Sequence, residues 1–244
     1  QIEAGISKKS EDGLAPAEQL VNIRSKLLPL IEKQQDHFLK TLKKKLLQEK
    51  ILIVNYKDLN SRQERWVKNY FKTAIFPILT PLAVDPAHPF PFVSNLSPNI
   101  AALIFDPDKG QKQFARVKIP QKTLKRFISI PSDLSESIKN PTHVAIAIEQ
   151  VVGNNLYMLF PGMKVEEHCF FRVTRDADLE LRDLEADDLM SAIEKGLQKR
   201  RMGGEVVRLE VSKNIPKEIL ELLMEGMTVN EEDLYSVKGL LALD

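Results

Sequence analysis

Proline is unusually dense in one apolar stretch of this chain. Residues 76–95, FPILTPLAVDPAHPFPFVSN, contain five prolines in twenty positions, and most of the other side chains are apolar. Proline fixes φ and removes a backbone donor, so the stretch excludes a helix and leaves little room for a central strand. We predict that residues 76–95, called the strap, form a rigid extended segment that lies across a sheet or against a partner subunit. We assign the strap structure and not chemistry.

Bulk composition places the chain among ordinary globular proteins. It has 244 residues, 43% hydrophobic and 28% charged, and a net charge of +1. Because the whole chain is nearly neutral, any polyanion must be met by a local positive field. Cys169 is the only cysteine, which excludes an internal disulfide and indicates a reducing, cytoplasmic compartment, with attachment to the inner membrane surface left open.

Neither a membrane span nor a natural chain end is indicated. The uncharged run of residues 86–105 contains four prolines, which argues against a spanning helix. The chain opens on QIEAGISKKSEDG without methionine and stops in GLLALD, so we expect both ends to be cuts through a longer protein, with a processed terminus as the alternative.

Periodicity divides the chain into two parts. Apolar residues at helical spacing predict helices over residues 16–48, starting at Pro16 and kinked or broken at Pro29. The apolar run ILIV, Ile51–Val54, predicts a buried strand, and we place a domain boundary between residues 48 and 49.

The second part, residues 49–244, reads as alternating helices and strands on one sheet, so the predicted class is α+β. A capping box at residues 61–64, SRQE, should start an amphipathic helix that ends before Pro77. The other predicted elements are a hairpin of residues 99–105 and 113–119, a strand at 127–130, a strand passing into a helix over 144–160, strands at 168–174 and 205–211, and helices at 183–202 and 216–224.

Several catalytic motifs are missing from the sequence. It has no P-loop, no GxGxxG and no kinase catalytic loop, and none of its four histidines has a lysine two positions later. No histidine pair has metal-ligand spacing. The acidic run of residues 175–188 is better explained as a solvated helix start than as a magnesium site.

A few residues remain as candidates for binding phosphate. His168 and Arg172 share one face of a predicted strand with Phe170 between them, and Arg175 lies just beyond. Arginine forks match phosphate oxygens, whereas the alternative is an edge strand with ordinary surface charge. Arg208 lies on the polar face of its own predicted strand and is the fourth candidate.

Other cations and rings have simpler explanations. We attribute Arg116 and Lys118 to ordinary charge on a half-exposed strand. Residues 43–45 and 199–201 read as favourable charge at helix ends. Trp66, Tyr70 and Phe71 read as core, and His88 as a ring packed in a rigid loop, with a phosphate-accepting role as the alternative.

Five sequence blocks resemble bacterial-type polyphosphate kinases. They are FPILTPLAVDPAHPFPFVSNLSPNIA, FARVKIP, LFPGM, FRVTRDADLE and VVRLEV, and they follow the family's order across most of the chain. The resemblance implies that residues 1–48 end the family's helical N-terminal domain. It implies that residues 49–244 form the head domain, a mixed α/β domain.

The resemblance also implies a function for the intact protein. Members reversibly transfer the terminal phosphate of ATP to inorganic polyphosphate through a phosphohistidine, with magnesium, and the resemblance implies a homodimer or a higher homo-oligomer. The family's catalytic histidines, magnesium-binding arginines and ATP-associated asparagine match no position here, so the implied role of this chain is a dimerising and polyphosphate-guiding scaffold.

One departure and one alternative accompany this interpretation. Where the family often has threonine before the proline of the first helix, this chain has Ala15, which cannot cap. The alternative function is a stand-alone anion-binding or protein-interaction module. Near-neutral charge argues against general nucleic-acid binding.

Overall fold

The chain is described by a computed structural model that covers residue 9 and residues 13–84, 90–134, 141–176 and 204–243. His88, the predicted helix at 183–202 and the basic residues 199–201 lie outside the described residues.

Helices form the N-terminal part, as the periodicity predicts. Helix α1 (Pro16–Asp36) continues through a π-helical turn (His37–Leu42) into α2 (Lys43–Gln48). Ala15 occupies the N-cap without a side-chain bond, and its own N–H donates to Glu18 Oε2 at 2.8 Å. Helix α1 runs through Pro29, so the predicted break into two helices at that residue is wrong. A proline removes one intrahelical bond, and a helix of 21 residues retains enough others to continue.

A small sheet follows the first helices. Strand β1 (Ile51–Val54) pairs in parallel with β6 (His143–Ala147), and β6 pairs antiparallel with β5 (Phe127–Ile130). Helix α3 (Ser61–Tyr70) extends through a π-helical turn (Phe71–Ile75) and a 3₁₀ turn (Phe76–Ile78) that contains Pro77.

The N-cap of α3 differs from the predicted one. Asn60, not Ser61, accepts hydrogen bonds from the N–H groups of Arg62 and Gln63, at 3.0 and 2.9 Å. The Gln63 side chain accepts from the Asn60 N–H at 3.1 Å, which closes the box one residue earlier than SRQE suggested. Asparagine is as good an N-cap as serine, so local sequence could not decide between the two registers.

A six-stranded sheet carries most of the remaining chain. Its order is β2-β4-β3-β7-β8-β9, antiparallel except for the β8–β9 pair. The strands are β2 (Pro81–Val84), β3 (Asn99–Asp106), β4 (Gln111–Lys118), β7 (Lys164–Arg175), β8 (Val206–Ser212) and β9 (Leu234–Val237). Helix α4 (Ile148–Asn154) follows β6, and α5 (Lys217–Met227) follows β8. Short 3₁₀ turns occupy Tyr56–Asp58, Ser132–Leu134, Leu156–Met158 and Glu231–Asp233.

Hydrophobic clusters cover both faces of the six-stranded sheet. Along β3, Ile100, Ala102 and Ile104 join one cluster, which also contains the small sheet and α3, while Ala101 and Leu103 join the other. The α+β class is therefore confirmed, but the strands form two sheets where one was predicted. Parallel pairing of β1 with β6 joins segments far apart in the chain, and local alternation does not specify which strands pair.

The strap takes three forms in the described residues. Its first part includes β2, an edge strand that begins at Pro81, which fits proline's restriction to edges. From residue 90 to 98 it has no regular strand or helix. We expected one continuous extended segment. The described residues of the strap form a 3₁₀ turn, an edge strand and an irregular section instead.

Candidate functional site

Three of the four predicted phosphate-binding residues lie on one face of the six-stranded sheet. Along β7, His168 and Arg172 lie on the same face as Phe170. Arg172 pairs in register with Glu210 of β8. Arg208 lies two residues before Glu210, on the same face. Strand β7 lies between β3 and β8, so the alternative of an edge strand with ordinary surface charge is wrong.

Glu210 is shared by two arginines. Arg172 Nε lies 3.6 Å from Glu210 Oε2, and these two side chains are only 7% and 8% exposed. Arg208 Nη2 donates a hydrogen bond of 2.6 Å to Glu210 Oε1. Buried charges require such pairing, because their desolvation is costly. An anion from outside would have to compete with the Glu210 carboxylate for both guanidinium groups.

Tyr235 of β9 collects two further cation contacts. The guanidinium carbon of Arg208 lies 4.6 Å from the ring centroid of Tyr235, and that of Arg24 in α1 lies 4.9 Å from it. Arg24 also donates to the carbonyl of Glu232. The contacts of Arg24 join α1 to the β9 edge of the sheet, and Arg208 packs on the same Tyr235 ring from within the sheet.

His168 is the most exposed of the predicted residues. Its ring packs edge-on to Phe170, with centroids 5.9 Å apart, and Nε2 leans over Gly153 of α4, where an added Cβ would lie 2.9 Å away. This crowding by protein atoms removes water from the imidazole and lowers the pKa of His168 below its ordinary value of 6.5. His168 is therefore neutral near pH 7, and it offers a phosphate hydrogen bonds rather than charge.

Arg175 faces the strap, on the other side of the sheet from Arg172. Its Nε donates to the carbonyl of Val93 and its Nη1 to the carbonyl of Gly204, both at 2.8 Å. Its backbone N–H donates to Asn95 Oδ1 at 2.9 Å, and its guanidinium lies 4.6 Å from the centroid of Phe92. Burial lowers the pKa of Arg175. The guanidinium N–H groups of Arg175 that could bind a phosphate thus donate to two backbone carbonyls.

Arg116 and Lys118 bind the same part of the strap as Arg175. The sequence analysis did not predict this role for them. Arg116 Nη1 donates to the carbonyl of Phe92 at 2.8 Å, and Lys118 Nζ donates to Ser94 Oγ at 2.9 Å. Arg116 is only 7% exposed, and this burial lowers its pKa, so its assignment to ordinary surface charge is wrong. The alternation of β4 correctly put Arg116 and Lys118 on one face of the strand, but it could not show that the strap covers that face.

Apolar contacts complete the attachment of the strap. Val93 is fully buried among side chains of the sheet. The Phe90 ring lies 5.4 Å from that of Phe114 in β4, and it fills the space beside Gly226 of α5. The prediction that the strap crosses a sheet is thus confirmed for residues 90–95. Phe76, Ile78 and Leu82, near the start of the strap, remain about 40% exposed.

The arrangement of these described side chains holds backbone segments in place. In the described ranges, no three His, Cys, Asp or Glu side chains come together as a metal site would require. The three arginines that the sequence suggested as phosphate ligands already have partners within the protein. Arg172 and Arg208 pair with Glu210, Arg208 also packs on the Tyr235 ring, and Arg175 donates to a strap carbonyl. The described helices also include none that is long and apolar enough to cross a membrane.

Comparisons with known proteins identify the class. The family model described as the polyphosphate kinase middle domain matches residues 62–244, and the one described as the polyphosphate kinase N-terminal domain matches residues 1–54. The chain belongs to the polyphosphate kinase family.

Individual relatives agree with this assignment. Over all 244 residues, the chain is 65% identical to a polyphosphate kinase of Prochlorococcus marinus and 62% identical to one of Parasynechococcus marenigrum. The chain spans about a third of each relative's length, 34% in both cases. The crystal structure of polyphosphate kinase from Porphyromonas gingivalis matches 92% of the chain with a TM-score of 0.72, at 18% sequence identity. The match covers 31% of that protein. That likeness shows a shared fold.

Proposed function

We propose that this chain is the scaffolding part of an enzyme that reversibly transfers the terminal phosphate of ATP to inorganic polyphosphate. The observation that carries the proposal is the pair of family matches, which together span nearly the whole chain. In this proposal, the attacking histidine and the ATP site belong to other domains. We propose residue 48 as the end of the N-terminal domain, close to where the two matches part.

The structure of the strap supports a scaffolding role. Three cations from β4 and β7 (Arg116, Lys118 and Arg175) bind strap atoms within 2.9 Å, and Val93 anchors the strap in the core. Such rigid attachment suits a segment that holds neighbouring domains in place. The exposed Phe76, Ile78 and Leu82 supply apolar area for the proposed homodimer contact.

ATP and magnesium enter this proposal only with the intact enzyme. Magnesium neutralises phosphate charge during phosphoryl transfer. The described residues offer no trio of ligands for it, so no step that involves magnesium is assigned to them.

Phosphate transfer tests the proposal directly. The 244-residue chain, mixed with γ-labelled ATP, magnesium and polyphosphate, should transfer no label to polymer or protein, whereas the product of the complete gene should transfer it. Labelling of the chain alone would contradict the scaffolding assignment and would make His168 and His88 the suspects.

The polyphosphate-guiding role of Arg172, Arg175, Arg208 and His168 remains a proposal. His168 is the most accessible of the four, so His168→Gln tests it with the least damage to the fold. A guiding role predicts weaker binding of long-chain polyphosphate by this variant at unchanged melting temperature. Equal affinity would remove His168 from the site.

A further inference from the structure

Positive charge is concentrated in a short, fully described part of this nearly neutral chain. Residues 37–72 contain ten lysines and arginines and three acids, an excess of seven positive charges, whereas the whole chain has a net charge of +1. We call these ten cations the basic segment: Lys40, Lys43, Lys44, Lys45, Lys50, Lys57, Arg62, Arg65, Lys68 and Lys72. The rest of the chain is therefore net negative, and the positive field is local.

Almost none of this charge is neutralised within the protein. Lys40 pairs with Asp36 at 2.7 Å, and among the described residues no other member of the basic segment has a carboxylate within 4 Å. All ten are exposed except Lys43, which is half-buried. Some lysines elsewhere do have acid partners, such as Lys112 with Glu166 at 2.9 Å.

Helix α3 carries the cations on one side. Arg65, Lys68 and Lys72 follow at steps of three and four residues, opposite the buried Val67 and Phe71. Like charges at this spacing destabilise a helix by about 0.2–0.5 kcal/mol per pair. This unpaired row contrasts with Lys217 in α5, which has Glu221 one turn later at 3.5 Å. Lys68 contacts the Tyr157 ring and Arg65 bonds to Ser61, but no carboxylate of the described residues lies within 4 Å of any of the three cations.

Helix α2 meets the start of α3 across a groove. A cavity of about 540 Å³ is lined by Lys43 and Lys44 on one side and by Asn60 and Gln63 on the other, with one acid, Asp58, and apolar side chains of β1 between them. From Arg62, next to this groove, to Lys72 the helix rises about 15 Å at 1.5 Å per residue. The cations thus border a groove and continue along a helix, which gives an elongated positive surface.

We propose that the basic segment is a docking surface for a linear polyphosphate, a deepening that rests on the proposed function. An exposed row of unpaired cations gains affinity by releasing counterions from a polymer charged along its whole length. This assignment places the main binding surface on α2 and α3, not on β7 and β8, where the arginines have internal partners. Residues 43–45 then have a use beyond the helix-end charge inferred from sequence.

Ring chemistry favours polyphosphate over single-stranded nucleic acid. Single-strand binders provide aromatic faces on which bases stack. On α3 the two rings, Trp66 and Tyr70, stack on each other with centroids 5.2 Å apart and also pack on the core. The nearby Tyr157 ring lies beneath the Lys68 ammonium, 5.3 Å away. The rings next to the row are therefore already occupied, and a polymer without bases needs none.

The test uses the 244-residue chain and end-labelled polyphosphate, with anisotropy measured from 50 to 300 mM salt. The first variant is Arg65→Gln/Lys68→Gln/Lys72→Gln on α3, and the second is Lys43→Gln/Lys44→Gln on α2. The matched control, Lys122→Gln/Lys125→Gln/Lys164→Gln, removes three exposed charges outside the basic segment. Thermal melts check that all variants remain folded.

We expect the α3 variant to bind at least about tenfold more weakly at 50 mM salt. Its slope of log K against log salt should be shallower by about two, at about 0.7 per lost phosphate contact. The α2 variant should show a smaller loss of the same kind, and the control should stay within about twofold of the wild type.

Each other outcome has a distinct meaning. If the wild-type chain does not bind polyphosphate, the guiding part of the proposed function fails. If the wild type binds but the α3 variant binds equally well, or the control weakens as much, the docking surface is wrong and the proposed function stands. Equal competition by single-stranded DNA of the same charge would overturn the choice of polyphosphate as ligand.

Discussion

Arg175 should contribute more to the stability of the fold than an exposed arginine such as Arg65, because it holds the strap through its guanidinium group. Arg175→Met keeps most of the side-chain volume but removes two hydrogen bonds of 2.8 Å, to the carbonyls of Val93 and Gly204, and the contact with Phe92. A hydrogen bond that involves a charged group contributes about 1.5–3 kcal/mol, and the lower end applies because Arg175 is only half-buried. The contact with Phe92 adds about 0.5 kcal/mol.

These contributions predict a loss of about 2–4 kcal/mol in the free energy of unfolding. Urea denaturation followed by circular dichroism would measure the loss, provided that the m-value stays the same. Arg175→Lys keeps the charge but not the fork, so its loss should be smaller. Arg65→Met is the matched control, because Arg65 is exposed and, among the described residues, bonds only to Ser61 within its own helix. It should change stability by less than about 0.5 kcal/mol.

Hydrogen exchange would show whether the strap is what Arg175 holds. The Leu96 N–H donates to the carbonyl of Val173 at 2.8 Å, next to the strap. In Arg175→Met its exchange should accelerate more than that of amides in α3. A loss below about 1 kcal/mol, or unchanged exchange at Leu96, would refute the conclusion that Arg175 holds the strap in place.

Three further perturbations test other parts of the structure. Gly226→Ala should destabilise the protein by about 1–2 kcal/mol, because the new methyl group overlaps the Phe90 ring and the overlap outweighs about 1 kcal/mol of helix propensity; a stabilised variant in thermal melts would contradict the packing of Phe90 on α5. Cys169 is buried, and its lost hydration raises the pKa of the thiol to about 12, so iodoacetamide at pH 8 should label it only after unfolding; rapid labelling of the native protein would show that β7 is open. Glu149 lies 3.3 Å from Arg126, yet burial raises the pKa of Glu149 above its ordinary value of 4.5, so the folded state holds the proton more tightly than the unfolded state. Relative to Glu149→Gln, wild-type stability should therefore be highest below pH 4.5 and fall as the pH rises above it, and urea melts between pH 4 and 7 that showed a relative gain would contradict this sign.

Local sequence determined the elements themselves. The alternation in β7 put Cys169, Phe171 and Val173 on one face, and the structure buries all three in one cluster. The hairpin of β3 and β4 formed as predicted, because two strand-forming runs flank a turn whose Gly110 adopts a positive φ of 64°. The described residues of the strap form a 3₁₀ turn, an edge strand and an irregular section, since the missing N–H of proline excludes a central strand.

Only the tertiary structure decided what the charged residues do. Arg116 and Arg172 look alike in sequence, each an arginine on an alternating strand. Both lie on central strands of the sheet. The strap covers Arg116, and Glu210 pairs with Arg172. The N-cap of α3 and the division into two sheets also escaped prediction, because asparagine and serine cap equally well and strand pairing joins distant segments. Periodicity is a property of neighbouring residues, whereas burial of a charge depends on which distant segment comes to cover it.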